Sequence, residues 1–341
     1  MTFAGTSVTQ FFDRFPNEQA CLEHVFAVRF GNHSPRPNCG EVGGWTPIRV
    51  TKKYLHHCRK HISVLQGTMF YRSNLSLMAW FYALLLFANS STGVRASFLR
   101  RHLGIGVRSS HRITNVIRAH MAAFEPCREV GGPEKFVHID EALVGHVEGG
   151  VRQTPHIILG VEREGEVISG LIADRSLVSI TAAITGLVRP GSIIVTDCHL
   201  AYSSLASESW EHIPINRARA FHNFAGMTNN PVEVYWSVLK RTLRLYNRIA
   251  SHNLWRFLAE IQFRITVARR SIHPFSSLSG LSRKSAQYTL QAFKKRSTGH
   301  AGEGPQIGEP FIVGCKSEAA PVGELMHRPR WRGWIRVRPL L

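Results

Sequence analysis

Phe136-Val137-His138-Ile139-Asp140-Glu141-Ala142-Leu143-Val144 reads as a β-strand: apolar residues dominate and no Gly or Pro interrupts them. At Lys135 the hydrophobic period changes from helical to strand-like. Further strands are expected over His156–Val161 and Val167–Ala173, split by the turn Glu162-Arg163-Glu164-Gly165. A helix over Leu177–Leu187 ends at Arg189-Pro190-Gly191, and the strand Ser192–Thr196 then delivers Asp197. Three strands, a helix, a strand and a helix predict a mixed α/β sheet with helices packed on it.

Two acids sit at these strand-like runs, Asp140 in the first and Asp197 after Ile193-Ile194-Val195-Thr196. A third, Glu233, opens an amphipathic helix at Asn230-Pro231-Val232-Glu233, where Pro231 after Asn230 is a well-formed helix start. The 35 residues between Asp197 and Glu233 suffice to leave a strand and return on a helix. Val232, Trp236, Leu239 and Leu243 form the apolar stripe of that helix. Glu233, Ser237, Lys240 and Arg244 fall on another face. Taken singly, the acids read as strand-end caps and a first-turn carboxylate favoured by the helix dipole. Together, in a strongly basic chain, they point to metal ions held against a polyanion and to two-metal phosphodiester chemistry.

The net charge of +19 and the pI near 10.4 make DNA or RNA the expected partner. The chain of 341 residues has room for two or three domains. Its six cysteines are scattered, no signal segment precedes the first element, and the apolar run Leu77–Ala88 falls short of the roughly 20 residues of a bilayer span. A soluble, reduced, cytoplasmic protein with no membrane partner is expected.

Residues 1–72 are rich in His, Pro, Gly and Lys, with short strand-like pieces around two lone cysteines. From Leu75 to Phe124 the pattern is helical: one apolar helix to Asn89, then Val94–Leu103 and Ser109–Met121 joined by Gly104-Ile105-Gly106. Two readings of that pair stay open. It is either a helix-turn-helix whose second helix carries Arg108, Arg112 and Arg118, or a helical hairpin linking two domains. A last helix, Leu254–Arg269, is expected to bury Leu254, Phe257, Leu258, Ile261, Ile265 and Ala268. Beyond Ser271 the periodicity fades into a Ser-, Gly- and Pro-rich segment with eleven Lys/Arg against four Glu. Its Arg328-Pro329-Arg330-Trp331-Arg332-Gly333-Trp334 suits a grip on nucleic acid or a disordered tail. The domains expected are 1–72, 73–130, 131–272 and 273–341.

Ile139-Asp140-Glu141 with Gly145, Thr196-Asp197 followed by Tyr202, and Asn230-Pro231-Val232-Glu233-Val234-Tyr235-Trp236-Ser237-Val238-Leu239-Lys240-Arg241 resemble the DDE transposases of bacterial insertion sequences. The likeness is to the branch with an N-terminal zinc ribbon that is related to eukaryotic Merlin elements. Gly67-Thr68-Met69-Phe70 and Glu260-Ile261-Gln262-Phe263-Arg264 add to it, although Thr266 stands where the family usually has Asn. The resemblance implies an RNase H-like catalytic core, a mixed five-stranded sheet with flanking helices, preceded by a degenerate zinc ribbon and a helix-turn-helix-like segment. It implies that Asp140, Asp197 and Glu233 are catalytic and hold two Mg²⁺ (or Mn²⁺) ions. Lys240, Arg241 and Arg244, with Arg108 and Arg112, would contact DNA. The partners implied are double-stranded DNA, as terminal inverted repeats and target, and a second copy of the chain in the paired-end complex at the bacterial nucleoid. Glu141 points to the opposite face from Asp140 and is expected only to support it. Asn230 reads as a helix cap, and the role of His222 is open.

The ribbon departs from the family's pattern. Arg36-Pro37-Asn38-Cys39-Gly40 and Cys58-Arg59-Lys60-His61 leave Cys39, Cys58 and His61 as an incomplete Zn²⁺ site, with His33, His56 or His57 as candidates for the fourth ligand. Two other functions therefore stand beside an active transposase: a transposase relic that only binds DNA, and a host RNase H-like nuclease.

Overall fold

A computed structural model describes residues 6–30, 39–41, 43–48, 52–124, 129–144, 147–148, 151–152, 156–163, 166–197, 202, 209–215, 230–246, 249–250, 253–269, 311–312 and 334–335. The chain divides into two compact units, one built on Met1–Phe124 and one on Glu125–Arg270.

The first unit opens with two helices where only strand-like pieces were expected, α1 (Val8–Arg14) and α2 (Glu18–Phe30). The signal for α1 is local: Ser7 and Gln10 form a reciprocal capping box, Gln10 N–H donating to Ser7 Oγ at 3.1 Å and Ser7 N–H to Gln10 Oε1 at 2.9 Å. Asn17 Oδ1 accepts from Ala20 N–H at 3.0 Å at the start of α2. A three-stranded antiparallel sheet follows: β1 (Trp45–Ile48), β2 (Lys53–His56) and β3 (His61–Ser63). The apolar run forms α3 (Leu77–Asn89), capped by Ser76 and buried along most of its length. Among the described residues no helix is long and apolar enough to cross a membrane. Helices α1, α2 and α3 share an aromatic core, with Phe15 edge-on to Phe81 at 4.9 Å. The Glu18 carboxylate of α2 accepts from the Leu77 and Met78 N–H groups at the start of α3, at 3.0 and 3.3 Å. Helices α4 (Ala96–Leu103) and α5 (Val107–Phe124) complete the unit, α4 ending at Gly104 in the left-handed region (φ 63°).

The second unit is a layered α/β structure. In chain order it contains β4 (Val130–Gly131), β5 (Phe136–Val144), β6 (Val147–Glu148), β7 (Val151–Arg152), β8 (His156–Arg163), β9 (Glu166–Ile172), α6 (Leu177–Thr185), β10 (Val188–Arg189), β11 (Ile193–Asp197), β12 (Glu211–Ile215), α7 (Asn230–Leu245), β13 (Ile249–Ala250) and α8 (Leu254–Arg269). The expected five-stranded mixed sheet has the order β12-β11-β5-β8-β9. β5, β8 and β9 run antiparallel, while β11 and β12 lie parallel to β5 and to each other. Among the described residues β12 has one neighbour, which lets it carry Pro214 at the sheet edge. Two pairs of tail residues join this unit: β14 (Phe311–Ile312) along β9, and β15 (Trp334–Ile335) along β13.

Side-chain alternation gives the sheet two apolar faces. Val137 and Ile139 of β5, Leu159 and Val161 of β8, Ile168 and Ile172 of β9 and Ile194 of β11 pack beneath Ile180, Ala183 and Ile184 of α6. The opposite face, bearing Asp140 and Gly160, is covered by α7 and α8. Val232, Trp236, Leu239 and Leu243 are the buried stripe of α7, as their spacing predicts. Helix α8 is buried more widely than its predicted stripe, because Ala259, Glu260, Gln262, Phe263 and Thr266 are buried as well. Ile265 is only half-buried, and the Ala268 side chain lies outside the described residues.

Candidate active site

Asp140 lies in the middle of β5, and β11 runs parallel beside it. Ile193 pairs with Phe136, Ile194 with Val137 and Val195 with His138, a constant offset of 57 positions. Asp197 and Asp140 keep the same offset. The two acids therefore stand at one level on adjacent strands and on one face, both half-buried.

Glu233 belongs to α7, the helix that packs over this face. It sits half-buried in the first turn of α7, three residues ahead of Trp236. The indole Nε1–H of Trp236 donates to Asp140 Oδ2 at 2.9 Å, tying the helix that carries the third acid to the first acid. The approach requires a glycine. Gly160 of β8 is the cross-strand partner of Asp140, and a Cβ there would fall 2.7 Å from Trp236 Cη2 and 2.8 Å from Cζ2. Beside Trp236, the buried Tyr235 hydroxyl donates to Ser169 Oγ at 2.6 Å, and the Ser169 N–H donates to Gln262 Oε1 of α8 at 3.3 Å. Backbone register, a missing Cβ and a buried hydrogen bond thus set the height of α7 over the sheet.

The carboxylates of Asp140, Asp197 and Glu233 do not all lie within 4.8 Å of one another. A two-ion site spreads its ligands over centres about 3.5–4 Å from each other. The all-oxygen donor set of the three acids fits a hard divalent cation such as Mg²⁺ or Mn²⁺.

Behind the acids, on the α6 face, a buried cluster surrounds Glu141. Its side chain is 1% exposed, accepts from Arg175 Nε at 2.9 Å and from the Tyr202 hydroxyl at 2.6 Å. Burial, then the charge and hydrogen bond of Glu141, then the charges of Asp140 and Asp197, push the Tyr202 phenol far above its usual range, so it stays a donor. Thr196, on the same face, shares a 2.8 Å hydrogen bond with His212 Nε2 of β12.

The predicted cations divide by environment. Lys240, Arg241 and Arg244 are exposed on α7. In the first unit Arg108 is exposed at the start of α5, and Arg112, also exposed, donates to the Arg72 carbonyl at 3.2 Å. Arg118 is inside: it is buried, donates to the Val94 carbonyl at 2.8 Å and lies over the Phe87 ring. Its place on α5 suggested an outward cation, but its turn of the helix faces the core.

The first unit also holds a Cys/His cluster in which His56 takes the place expected of His61. Cys39 Sγ lies 3.7 Å from His56 Nδ1, which lies 3.1 Å from Cys58 Sγ. His57 Nε2 is 3.9 Å from Cys39 Sγ and 2.8 Å from Glu41. Tetrahedral zinc with bonds near 2.0–2.3 Å needs ligand atoms roughly 3.5–3.8 Å apart; the Cys39–His56 separation matches this, and the His56–Cys58 separation is shorter. Burial opposes ionisation of Cys58, but hydrogen bonds from the Lys60 backbone, His56 and Cys39 outweigh it and bring the thiol down to about 7. His61 is on β3, outside the cluster, and His33 and Arg36 lie outside the described residues, as does His222.

Gly160, Arg175 and the central position of His56 are not among the site residues expected from the sequence. Gly160, a lone glycine inside a strand pattern, is a signal of close backbone approach. Arg175, in a loop 34 residues from Glu141, has no local signature.

Residues 129–266, which include all three acids, Gly160, Arg175 and Trp236, match the family model of the ISXO2-like transposase domain, in agreement with the DDE transposase resemblance. No curated protein matches the chain.

Proposed function

We propose, with the match of residues 129–266 to the ISXO2-like transposase domain as premise, that this chain is an insertion-sequence transposase with an RNase H-like catalytic core. It would bind the terminal inverted repeats of its element as double-stranded DNA, cleave there and join the 3′ ends to target DNA. The observation that carries the reading is the shared level and face of Asp140 and Asp197 on β5 and β11, with α7 bringing Glu233 and fastened to Asp140 through Trp236.

Asp140, Asp197 and Glu233 are the residues to hold two Mg²⁺ ions. Bound there, the ions would activate the attacking water or 3′-hydroxyl and stabilise the leaving oxygen of an in-line displacement. The Trp236 N–H donates to Oδ2 of Asp140 and so fixes the orientation of that carboxylate. Lys240, Arg241 and Arg244 continue along the exposed side of α7 and suit a phosphate backbone entering the site. Arg108 and Arg112 serve DNA recognition in the first unit. Cys39, His56 and Cys58 are proposed to hold a structural Zn²⁺, with His57 nearest as a further donor. Handling two element ends at once calls for at least a homodimer.

The test is Mg²⁺-dependent cleavage of duplex DNA carrying the sequence that flanks the reading frame, comparing wild type with Asp197→Asn and Glu233→Gln. Cleavage at the element ends, lost in both variants, is the expected result. Cleavage anywhere along any duplex favours a host nuclease instead. The three-donor cluster, one short of a closed zinc site, favours a DNA-binding relic as the second reading. Binding without cleavage by the wild type would establish that one.

A further inference from the structure

We propose that Arg175 is a substrate-phosphate contact of this site, held ready by Glu141 and Tyr202. The inference rests on the transposase reading and extends it to a residue with no motif of its own.

Glu141 directly follows Asp140, so their Cα atoms are about 3.8 Å apart while their side chains leave opposite faces of β5. A carboxylate with 1% of its side chain exposed needs compensation, which Arg175 Nε and the Tyr202 hydroxyl provide. The Arg175 hydrogen bond uses only Nε. The Nη1 and Nη2 groups keep four N–H donors, which form no hydrogen bond among the described residues, and 37% of the side chain stays exposed. A guanidinium fixed at one nitrogen and open at the other two is pre-organised to grip a phosphate.

Its location suits that use. Arg175 lies between β9 and α6 and is bonded to the residue next to Asp140. Burial disfavours its charge, yet the hydrogen bond and charge of Glu141, with smaller contributions from Tyr202 and Asp197, raise its affinity for the proton. β9 runs in the same direction as β5 and β11, so Arg175, just beyond β9, and Asp197, which ends β11, lie toward the same end of the sheet, and a DNA strand running over that end would bring a phosphate past Arg175. Glu141 then acts through Arg175 as a positioning residue.

A purely structural Arg175 would serve only to neutralise Glu141, and a double variant separates the two roles. Arg175→Gln alone leaves a buried carboxylate with the Tyr202 hydroxyl but no counter-charge and should lower the melting temperature. Adding Glu141→Gln removes that charge, so the double variant should melt near wild type. If Arg175 contacts phosphate, the double variant still binds a labelled duplex of arbitrary sequence about tenfold more weakly at low salt. Its log affinity against log salt becomes shallower by about one phosphate's worth, roughly 0.9. Cleavage stays impaired, and the single variant Arg175→Lys recovers part of the affinity. Wild-type affinity and salt slope in the double variant, with melting restored, would sink the proposal alone. A wild type that binds no duplex at all would sink the transposase reading together with it.

Discussion

The indole of Trp236 serves two purposes that separate substitutions can pull apart. Its N–H fixes Asp140, and its ring fills the space left by the missing Cβ of Gly160. Trp236→Phe keeps an aromatic ring and removes the donor. A hydrogen bond to a charged group is worth about 1.5–3 kcal/mol, so cleavage at limiting Mg²⁺ should fall about 10- to 100-fold. The loss should be partly recovered at high Mg²⁺, and a metal titration of the cleavage rate reads it directly. Gly160→Ala attacks the same contact from the sheet side. Overpacking typically costs about 1–3 kcal/mol, and a denaturant melt should show a loss of that order. Because the smaller Phe ring makes room, Gly160→Ala/Trp236→Phe should be less destabilised than the two single variants added together.

Among the elements, α3 depends on a carboxylate brought from α2. Glu18 accepts from the first N–H groups of α3 and pairs with Lys52 at 2.7 Å. Burial would raise its pKa, but the Leu77 N–H, Lys52 and the Met78 N–H outweigh it and hold the carboxyl below its usual 4.5. Its contribution is thus complete above the unfolded value and is lost as pH falls through the lower folded one. Glu18→Gln should cost about 0.5–1 kcal/mol at neutral pH, a shift of a few degrees in melting temperature that disappears as the wild type is acidified below its lowered folded-state value. This contact also shows what sequence can reveal. The apolar run of α3 and its end at Asn89, the α7 start at Asn230, the β5 limits and the α8 limits follow from local pattern and caps, and all are observed where the pattern puts them. Glu18 on α3, Trp236 on Asp140 and Arg175 on Glu141 join residues 34 to 96 positions apart, and no local rule encodes such pairs. The Ser7–Gln10 capping box was legible, but a short helix with one buried residue has a weak apolar period, so α1 escaped notice.

For the whole molecule, metal content is the plainest check on the first unit. Protein expressed with added zinc should carry one equivalent by elemental analysis and lose it in Cys58→Ala and His56→Ala, while His61→Ala retains it. Zinc retained by the first two variants would remove the cluster from consideration. The charge of +19 predicts a second global property: duplex binding should weaken steeply with salt.

The dependence on α7 also has a temporal consequence. Asp140 and Glu233 are separated by 93 positions, and translation at about 5–20 residues per second puts roughly 5–20 s between them. Until α7 emerges and Trp236 settles over Gly160, the nascent chain has two acids of three and no cutting centre. A message broken anywhere ahead of codon 230 would yield an inert fragment, so on this reading a damaged element makes no stray nuclease.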